Sequence, residues 1–483
     1  MSEKKEGNGV SRKDFLKQGL AASAFFTGAG MIPTGCATKK AAIAKNPGDA
    51  KNIIFMVSDG MSHGTLTLAD LVKRRQFGEV SNWMKLYNSD RNFHRGMMDM
   101  ASLDSPVTDS SAASSSWGCG HRVNNRSVCM GPEGQKYQPI LEVMKGAGKK
   151  TGMVTTARIT HATPAGFAAN VVHRDMEDKI AEQYLEQRYD LLMGGGSRHF
   201  DPARREDGKD LHKAYSEDGY SVVHNKQDMA TASAGKRLLG TFSTVHMPFV
   251  IDRMASEELS TTVPNLAEMS ETALERLSGH SEGFILQIEG GRIDHGAHDN
   301  DAAALIYDQV GFDEAIKVAM DFCDGRDDTL LVITTDHGNA NPGLNGAGED
   351  YSETAKRFDR IQNFRQSNHW ILDGLDRESS VNQVRDRMAH ATNLDISREH
   401  AAMFQKAIRG ELVTPYYLKN EIEAVLGSIL ANYLSINFIG TNHTADYVEL
   451  AAMGPGIEKL DHFTRNTELF DLMLESTGVR VSA

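Results

Sequence analysis

Six runs of this chain are almost continuously apolar. They are "NIIFMVSDG" (Asn52–Gly60), "KTGMVTT" (Lys150–Thr156), "DLLMGGG" (Asp190–Gly196), "GFILQIEGG" (Gly283–Gly291), "TLLVITTDHG" (Thr329–Gly338) and "YVELAAMGPG" (Tyr447–Gly456). A strand half in water alternates apolar and polar residues, whereas a strand covered on both faces has no polar side to show. Helical patterns lie between several of the runs, over Met254–Leu277 and Asp301–Phe322. The alternation predicts an α/β fold with a large, mostly parallel central sheet and helices on both faces. A chain of 483 residues is long enough to bury such a core.

One segment departs from the pattern. Gly338–Gly440 is polar at first ("NPGLNGAGEDYSETAKRFDR") and helical later ("EHAAMFQKAIRGEL", "LKNEIEAVLGSILANYL"). Residues 338–440 are expected to form an inserted subdomain, a cap or crown on a main domain spanning residues 52–483. The alternative is an irregular but integral part of that domain.

Ahead of the first run, "SRKDFLK" (Ser11–Lys17) precedes the small-residue stretch "GLAASAFFTGAGMIP". That stretch is too short to span a bilayer comfortably, so residues 1–35 read as an export signal and 36–51 as a polar linker. The basic segment is similar to a twin-arginine signal with Lys13 in place of the second arginine. "PTGC" sets Cys36 after Gly35, as in a lipoprotein cleavage box, with Pro33 where such boxes prefer Leu. Cleavage after Ala37 is the soluble alternative. The expected location is a bacterial periplasm or cell envelope, with or without a lipid on Cys36. Of the other cysteines, Cys119 and Cys129 would close a small loop in an oxidising compartment; unpaired buried thiols, with Cys323, are the equal alternative.

The 65 acids and 52 bases leave a net charge of −13. Nucleic-acid duplexes demand basic patches, so they are not expected as partners. A small phosphate remains open, because a site can be locally positive on an acidic protein.

Several strand candidates end in metal-binding residue types. The first ends at Asp59. The second leads into "ITHATPAGFAANVVHR", with His161, Thr163 and Arg174. "QIEGGRIDHGAH" supplies Glu289, Asp294 and His298, "TTDHG" supplies Asp336 and His337, and "GTNHTADY" places His443 before the last strand. Singly, each has a bland reading as a turn former, a structural histidine or a helix-face pair. Together they sit where α/β sheets build sites, beyond the carboxyl ends of strands. Mixed nitrogen and oxygen ligands suit zinc, and carboxylate with hydroxyl suits magnesium.

These motifs, with "TDSSA" (Thr108–Ala112), "HATPAG" and "NHTADYVELAAMGPG", resemble alkaline phosphatase in family order from Asn52 to about Gly478. The resemblance implies two zinc ions, one on Asp294, His298 and His443 and one on Asp59, Asp336 and His337. It implies a magnesium on Asp59, Thr163 and Glu289. It makes Ser110 the nucleophile, Arg174 the phosphate grip and Asp109 the residue that orients that arginine. His161 and His295 would stand just outside the ligands, where the best-known bacterial form has an acid and a lysine; other members carry histidine at both. A homodimer is also implied.

The implied reaction hydrolyses phosphate monoesters to an alcohol and inorganic phosphate through a phosphoserine. A serine hydroxyl is protonated at neutral pH, and no Ser-His-Asp grouping is evident to activate it. Two zinc ions about 4 Å apart would instead stabilise the entering and leaving oxygens. Small residues after Ser110 would start a helix tightly, with the phosphate at its N-terminus. Ser111 is the rival nucleophile by position. The alternatives are a phosphodiesterase, sulfatase or phosphomutase of the same superfamily, and, in another class, a non-catalytic phosphate- or metal-binding surface protein.

Overall fold

The computed structural model of the protein describes residues 44–45, 50–88, 92–411 and 413–481. The expected export signal and Cys36 lie outside the described residues. Ten strands form one sheet: β1 (Asn52–Val57), β2 (Phe93–Asp99), β3 (Lys150–Arg158), β4 (Leu191–Gly195), β5 (Tyr220–Val223), β6 (Arg237–Thr241), β7 (Phe284–Glu289), β8 (Thr329–Thr334), β9 (Val448–Met453) and β10 (Phe463–Arg465). Their order across the sheet is β10-β2-β9-β8-β1-β7-β3-β4-β6-β5. Neighbours are parallel except around β9, which runs antiparallel to both β2 and β8.

The six apolar runs are β1, β3, β4, β7, β8 and β9, which form the contiguous centre of the sheet. There, two-sided cover removes the need for polar positions: every residue of β1, β7 and β8 is buried. The four strands without such a run lie in pairs at the two margins. In β2, buried and more exposed positions alternate, and β10 has only three residues.

Side chains of successive residues leave β1 on opposite faces. Ile53, Phe55 and Val57 join one apolar core, and Ile54 and Met56 join the other. Four helices matter for the site: α1 (Ser110–Cys119), α2 (Ala162–Ala168), α3 (Arg292–His298) and α4 (Ala302–Cys323). Trp117 of α1 and Phe167 of α2 pack in the core of Phe55, whereas Ile293 of α3 and Phe312 of α4 pack in that of Ile54. The stretch Met254–Leu277 is not one helix. It is broken into Val250–Ala255, Glu257–Thr262 and Leu266–Leu277. Ser256 caps the second piece; Asn265 caps the third, in a reciprocal box with Glu268.

Residues 338–440 carry the helices Val381–Thr392, Arg398–Ile408 and Ile422–Leu434 among shorter pieces. Their apolar side chains, such as Val384, Phe404 and Leu426, belong to the same core as Ile54. The segment hangs from a two-stranded stem in which Gly338–Asn339 pairs antiparallel with His443–Thr444. Cys119 and Cys129 are buried free thiols. No described helix is long and apolar enough to cross a membrane.

Candidate active site

The sheet brings the strand-end residues to one edge. β1 and β8 are parallel neighbours with Val57 opposite Thr334, so Asp59 and Asp336 each emerge two residues past the same rung. On the other side of β1, Val57 faces Glu289. His443 precedes its strand whereas the other ligands follow theirs. Because β9 is antiparallel, its beginning lies where the parallel strands end.

Gly60 makes the first turn feasible. Its φ is +71°, and a Cβ there would lie 2.6 Å from the Asp294 Oδ1 atom. Its N–H donates to Asp336 at 3.0 Å.

Ser110 begins α1 and is buried. Asp109 caps the helix, accepting from the Ala112 N–H at 3.0 Å. Serine is a weak helix former, but its small size lets α1 and α2 approach closely. A Cβ on Gly118 would come within 1.9 Å of the Gly166 carbonyl oxygen, and the Ser114 hydroxyl donates to the Thr163 carbonyl at 2.6 Å. Ser116 donates within the helix to Ala112. Ser111 donates to both carboxylate oxygens of Asp109, at 2.9 and 2.7 Å. The other Asp109 partner is Arg174, whose Nη1 donates at 2.9 Å.

Two triads converge next to this helix. In the inner one, His337 Nε2 lies 3.2 Å from Asp336, 3.6 Å from Asp59 and 3.2 Å from Ser110 Oγ. A serine-activating histidine needs its carboxylate on the opposite ring nitrogen. Here both carboxylates crowd the same nitrogen as the serine, and Nδ1 is buried without a partner. In the outer triad, His298 Nε2 lies 3.3 Å from Asp294 and 3.1 Å from His443 Nε2. The Nδ1 atoms of His298 and His443 face the carbonyls of Thr441 and Thr108. A carbonyl only accepts, so each Nδ1 donates, and Nε2 is the nitrogen that each ring turns to the centre. The His337 and His443 rings stack 3.6 Å apart between centroids, joining the triads.

The donor sets fit cations. Within each triad the ligand atoms all lie within 4.8 Å of one another. One oxygen of Asp59, one of Asp336 and both of Glu289 are buried without hydrogen-bond partners. Burial and nearby carboxylates push Asp59 well above the usual range and Asp336 up to about 8, and burial lifts Glu289 to about 6. Such a crowd of carboxylates calls for positive charge. Thr163 Oγ1 donates to Asp59 at 3.3 Å, beside Glu289, so the expected magnesium residues also meet. His161 accepts from Arg174 Nη2 at 3.1 Å, and His295 approaches the His161 ring to 5.7 Å.

Every site residue expected from the sequence is therefore at this edge. Three supporting residues carry no motif signal. Asn339, paired with His443 in the stem, donates to Asp294 at 2.7 Å. Asn125 accepts from the Asp109 N–H at 2.8 Å. His246 follows β6, a margin strand without an apolar run, and contacts the His161 and His295 rings.

Comparison with known proteins gives the family. A family model for alkaline phosphatase matches residues 50–478. The chain is 30% identical over 450 residues to alkaline phosphatase 4 of Bacillus subtilis, covering 91% of each chain. It is 36% identical over 319 residues to the repressible alkaline phosphatase of Saccharomyces cerevisiae, covering 59% of this chain and 54% of that one. The crystal structure of Thermus thermophilus alkaline phosphatase superposes with a TM-score of 0.83 at 33% identity, covering 94% of this chain and 97% of the other. The chain belongs to the alkaline phosphatase family, a family of metal-dependent phosphatases that act on phosphate monoesters.

Proposed function

We propose that the protein hydrolyses phosphate monoesters by passing the phosphoryl group first to Ser110 and then to water. One observation carries this reading: Ser110 Oγ shares the face of His337 Nε2 with two buried carboxylates, in reach of the Arg174–Asp109 pair. The inner and outer triads would each hold a zinc ion, and Asp59, Thr163 and Glu289 a magnesium. When bound, the zinc ions would stabilise the serine alkoxide and the departing alkoxide.

The chain's own residues do the rest. Arg174 grips non-bridging phosphate oxygens in a fork, held in place by Asp109 and His161. Ser110 opens α1, so the positive end of the helix dipole would lie beside the same phosphate. Ser110 Oγ attacks phosphorus and the bond to the leaving alcohol breaks; water then cleaves the seryl ester and releases inorganic phosphate. Grips of this kind read the phosphate dianion, which supports turnover of aryl, sugar and nucleotide monoesters alike. A dianion also offers Arg174 one more charge than a diester does, which favours monoesterase over diesterase chemistry.

Labelled monoester, acid-quenched during turnover by the zinc- and magnesium-loaded enzyme, should leave phosphate on Ser110. Ser110→Ala should lose the label and on the order of 10⁴ in turnover, with zinc content unchanged. Label on another residue, or full activity after chelation, would refute the mechanism.

We also infer export to a periplasm or envelope, supported by the basic and small-residue pattern of residues 1–35. Lipid labelling abolished by Cys36→Ala would separate the anchored from the soluble form. Family resemblance alone supports a homodimer, which sedimentation would test.

A further inference from the structure

Beside Arg174, three imidazoles from three separate parts of the chain meet. His161 follows β3, His246 follows β6 and His295 lies on α3. Their ring centroids are 5.3, 5.7 and 4.1 Å apart, and each offers a nitrogen within 4.8 Å of the others'. His161 is only 8% exposed. All three Nδ1 atoms are buried without a hydrogen-bond partner, and so is Arg292 Nε.

The neighbours decide what these nitrogens can do. His161 Nε2 faces the Arg174 guanidinium and His246 Nε2 faces that of Arg158. A guanidinium only donates, so both Nε2 atoms accept and both Nδ1 atoms carry the ring proton. This reverses the outer triad, where carbonyls fix the protons on Nδ1 and free Nε2 for a cation. A cation bound at Nδ1 of His161 or His246 would move the ring proton to Nε2, against a guanidinium with nothing to accept it. The Nδ1 atoms of His161 and His246 and the Nε of Arg292 are therefore buried N–H donors left unsatisfied, and such donors require an acceptor. Arg158, Arg174 and Arg292 add positive charge, although Glu177 holds Arg158 at 2.9 Å, Asp109 holds Arg174, Asp308, Asp299 and Asp252 surround Arg292, and Asp59 and Glu289 bring carboxylate oxygens within 4.8 Å of a His161 nitrogen.

We propose that His161, His246 and His295, with Arg292, form an oxyanion subsite that takes a second phosphate or carboxylate carried close to the scissile phosphate of the substrate. The proposal rests on the monoesterase reading of Ser110 and Arg174. Substrates with a compact second anion would then be favoured within the enzyme's range.

The test compares 2-phosphoglycolate with 2-hydroxyethyl phosphate, which differ by a carboxylate, and adds inorganic diphosphate as the phosphate-bearing arm. The wild-type holoenzyme should show a KM about tenfold lower for the anionic substrates, the effect of a charge-assisted hydrogen bond. His246→Ala should erase most of that ratio, and His246→Asn, which keeps an N–H donor, should restore part of it. A response to diphosphate alone assigns the subsite to phosphate, and a response to both assigns it to oxyanions generally. Equal KM changes for charged and neutral substrates would overturn the proposal while leaving the phosphatase intact. So would loss of one equivalent of first-row metal in His246→Ala, which would mark a cation site instead. Should that variant fail to fold, the wild-type ratio decides: no preference for the anionic substrates ends the proposal. Absence of turnover on every monoester would instead sink the monoesterase reading itself.

Discussion

The inner and outer triads contain the same ligand types, yet they are built differently. Asp59, Asp336 and His337 come from two adjacent parallel strands and have side chains with no solvent exposure. Asp294, His298 and His443 come from α3 and from the stem of the 338–440 segment, and the His298 side chain is 34% exposed. Their charge states differ as well. Burial works against both sets, but in the outer one Asp294 raises His298 to about 9 while the imidazoles hold Asp294 well below the usual range. That triad can neutralise itself as an ion pair. The inner one has two carboxylates and a single imidazole, which burial and His443 keep well below its ordinary value. It has no internal cation, so it depends more heavily on a bound ion.

The largest effect expected from either triad follows directly. Asp336→Asn should cost about a thousandfold in kcat/KM on a simple monoester, and added zinc should not restore it. His443→Ala should lose less and recover in part with excess zinc, because water can complete a partly exposed coordination sphere. Zinc titrations of both variants, read by activity and bound metal, would break the comparison if the two losses were equal and equally irreversible.

The candidate ligands were legible in the sequence for one physical reason, their grouping into two triads came only from the family resemblance, and the remainder was hidden for another reason. Central strands such as β1, β7 and β8 are covered on both faces, so their apolar runs stand out and their ends point to the ligands. His443 was visible as a motif, but its position depends on the antiparallel direction of β9, which local sequence does not encode. The marginal strands β2, β5, β6 and β10 are short or alternating and carry no long apolar run, so they lack the signal. His246 follows one of these strands and is missed with it. Asn339 is missed because a polar residue in a polar stretch is ordinary until the stem places it against Asp294. The Met254–Leu277 helix is broken by capping at Ser256 and Asn265, which the apolar period alone passes over.

A second expectation concerns pH. A metal ion must displace the proton held on Asp336 to about 8 and the one held on His298 to about 9. Both values are raised, so below them protons compete with metal, and retention should weaken by about tenfold per pH unit for each proton displaced. Zinc affinity measured from pH 6 to 9 should therefore rise with pH in both triads. A flat profile at the inner triad would contradict the charge argument made for it.

Asn339→Ala offers a smaller and more selective probe. It removes a 2.7 Å hydrogen bond to Asp294 while leaving every direct ligand in place. Zinc retention at the outer triad should fall by about tenfold, the usual scale for a group that orients a ligand, with the inner ion unaffected. Loss of both ions would mean that the stem supports the whole edge and that the triads are not independent.

Ser111→Ala should have the smallest effect, and it addresses which serine reacts. The Ser111 hydroxyl is committed to both oxygens of Asp109, the carboxylate that also accepts from Arg174. Ser110 Oγ instead faces His337 and the inner triad. Removing the Ser111 hydroxyl loosens Arg174 through Asp109 and touches neither triad. The expected loss is a few-fold, on the order of one hydrogen bond, and appears in KM and phosphate inhibition more than in kcat. Metal content and phosphate labelling of Ser110 should persist. A loss as large as that of Ser110→Ala, with the label gone, would move the nucleophile to Ser111 and remove the reason for placing the reacting oxygen on the inner triad.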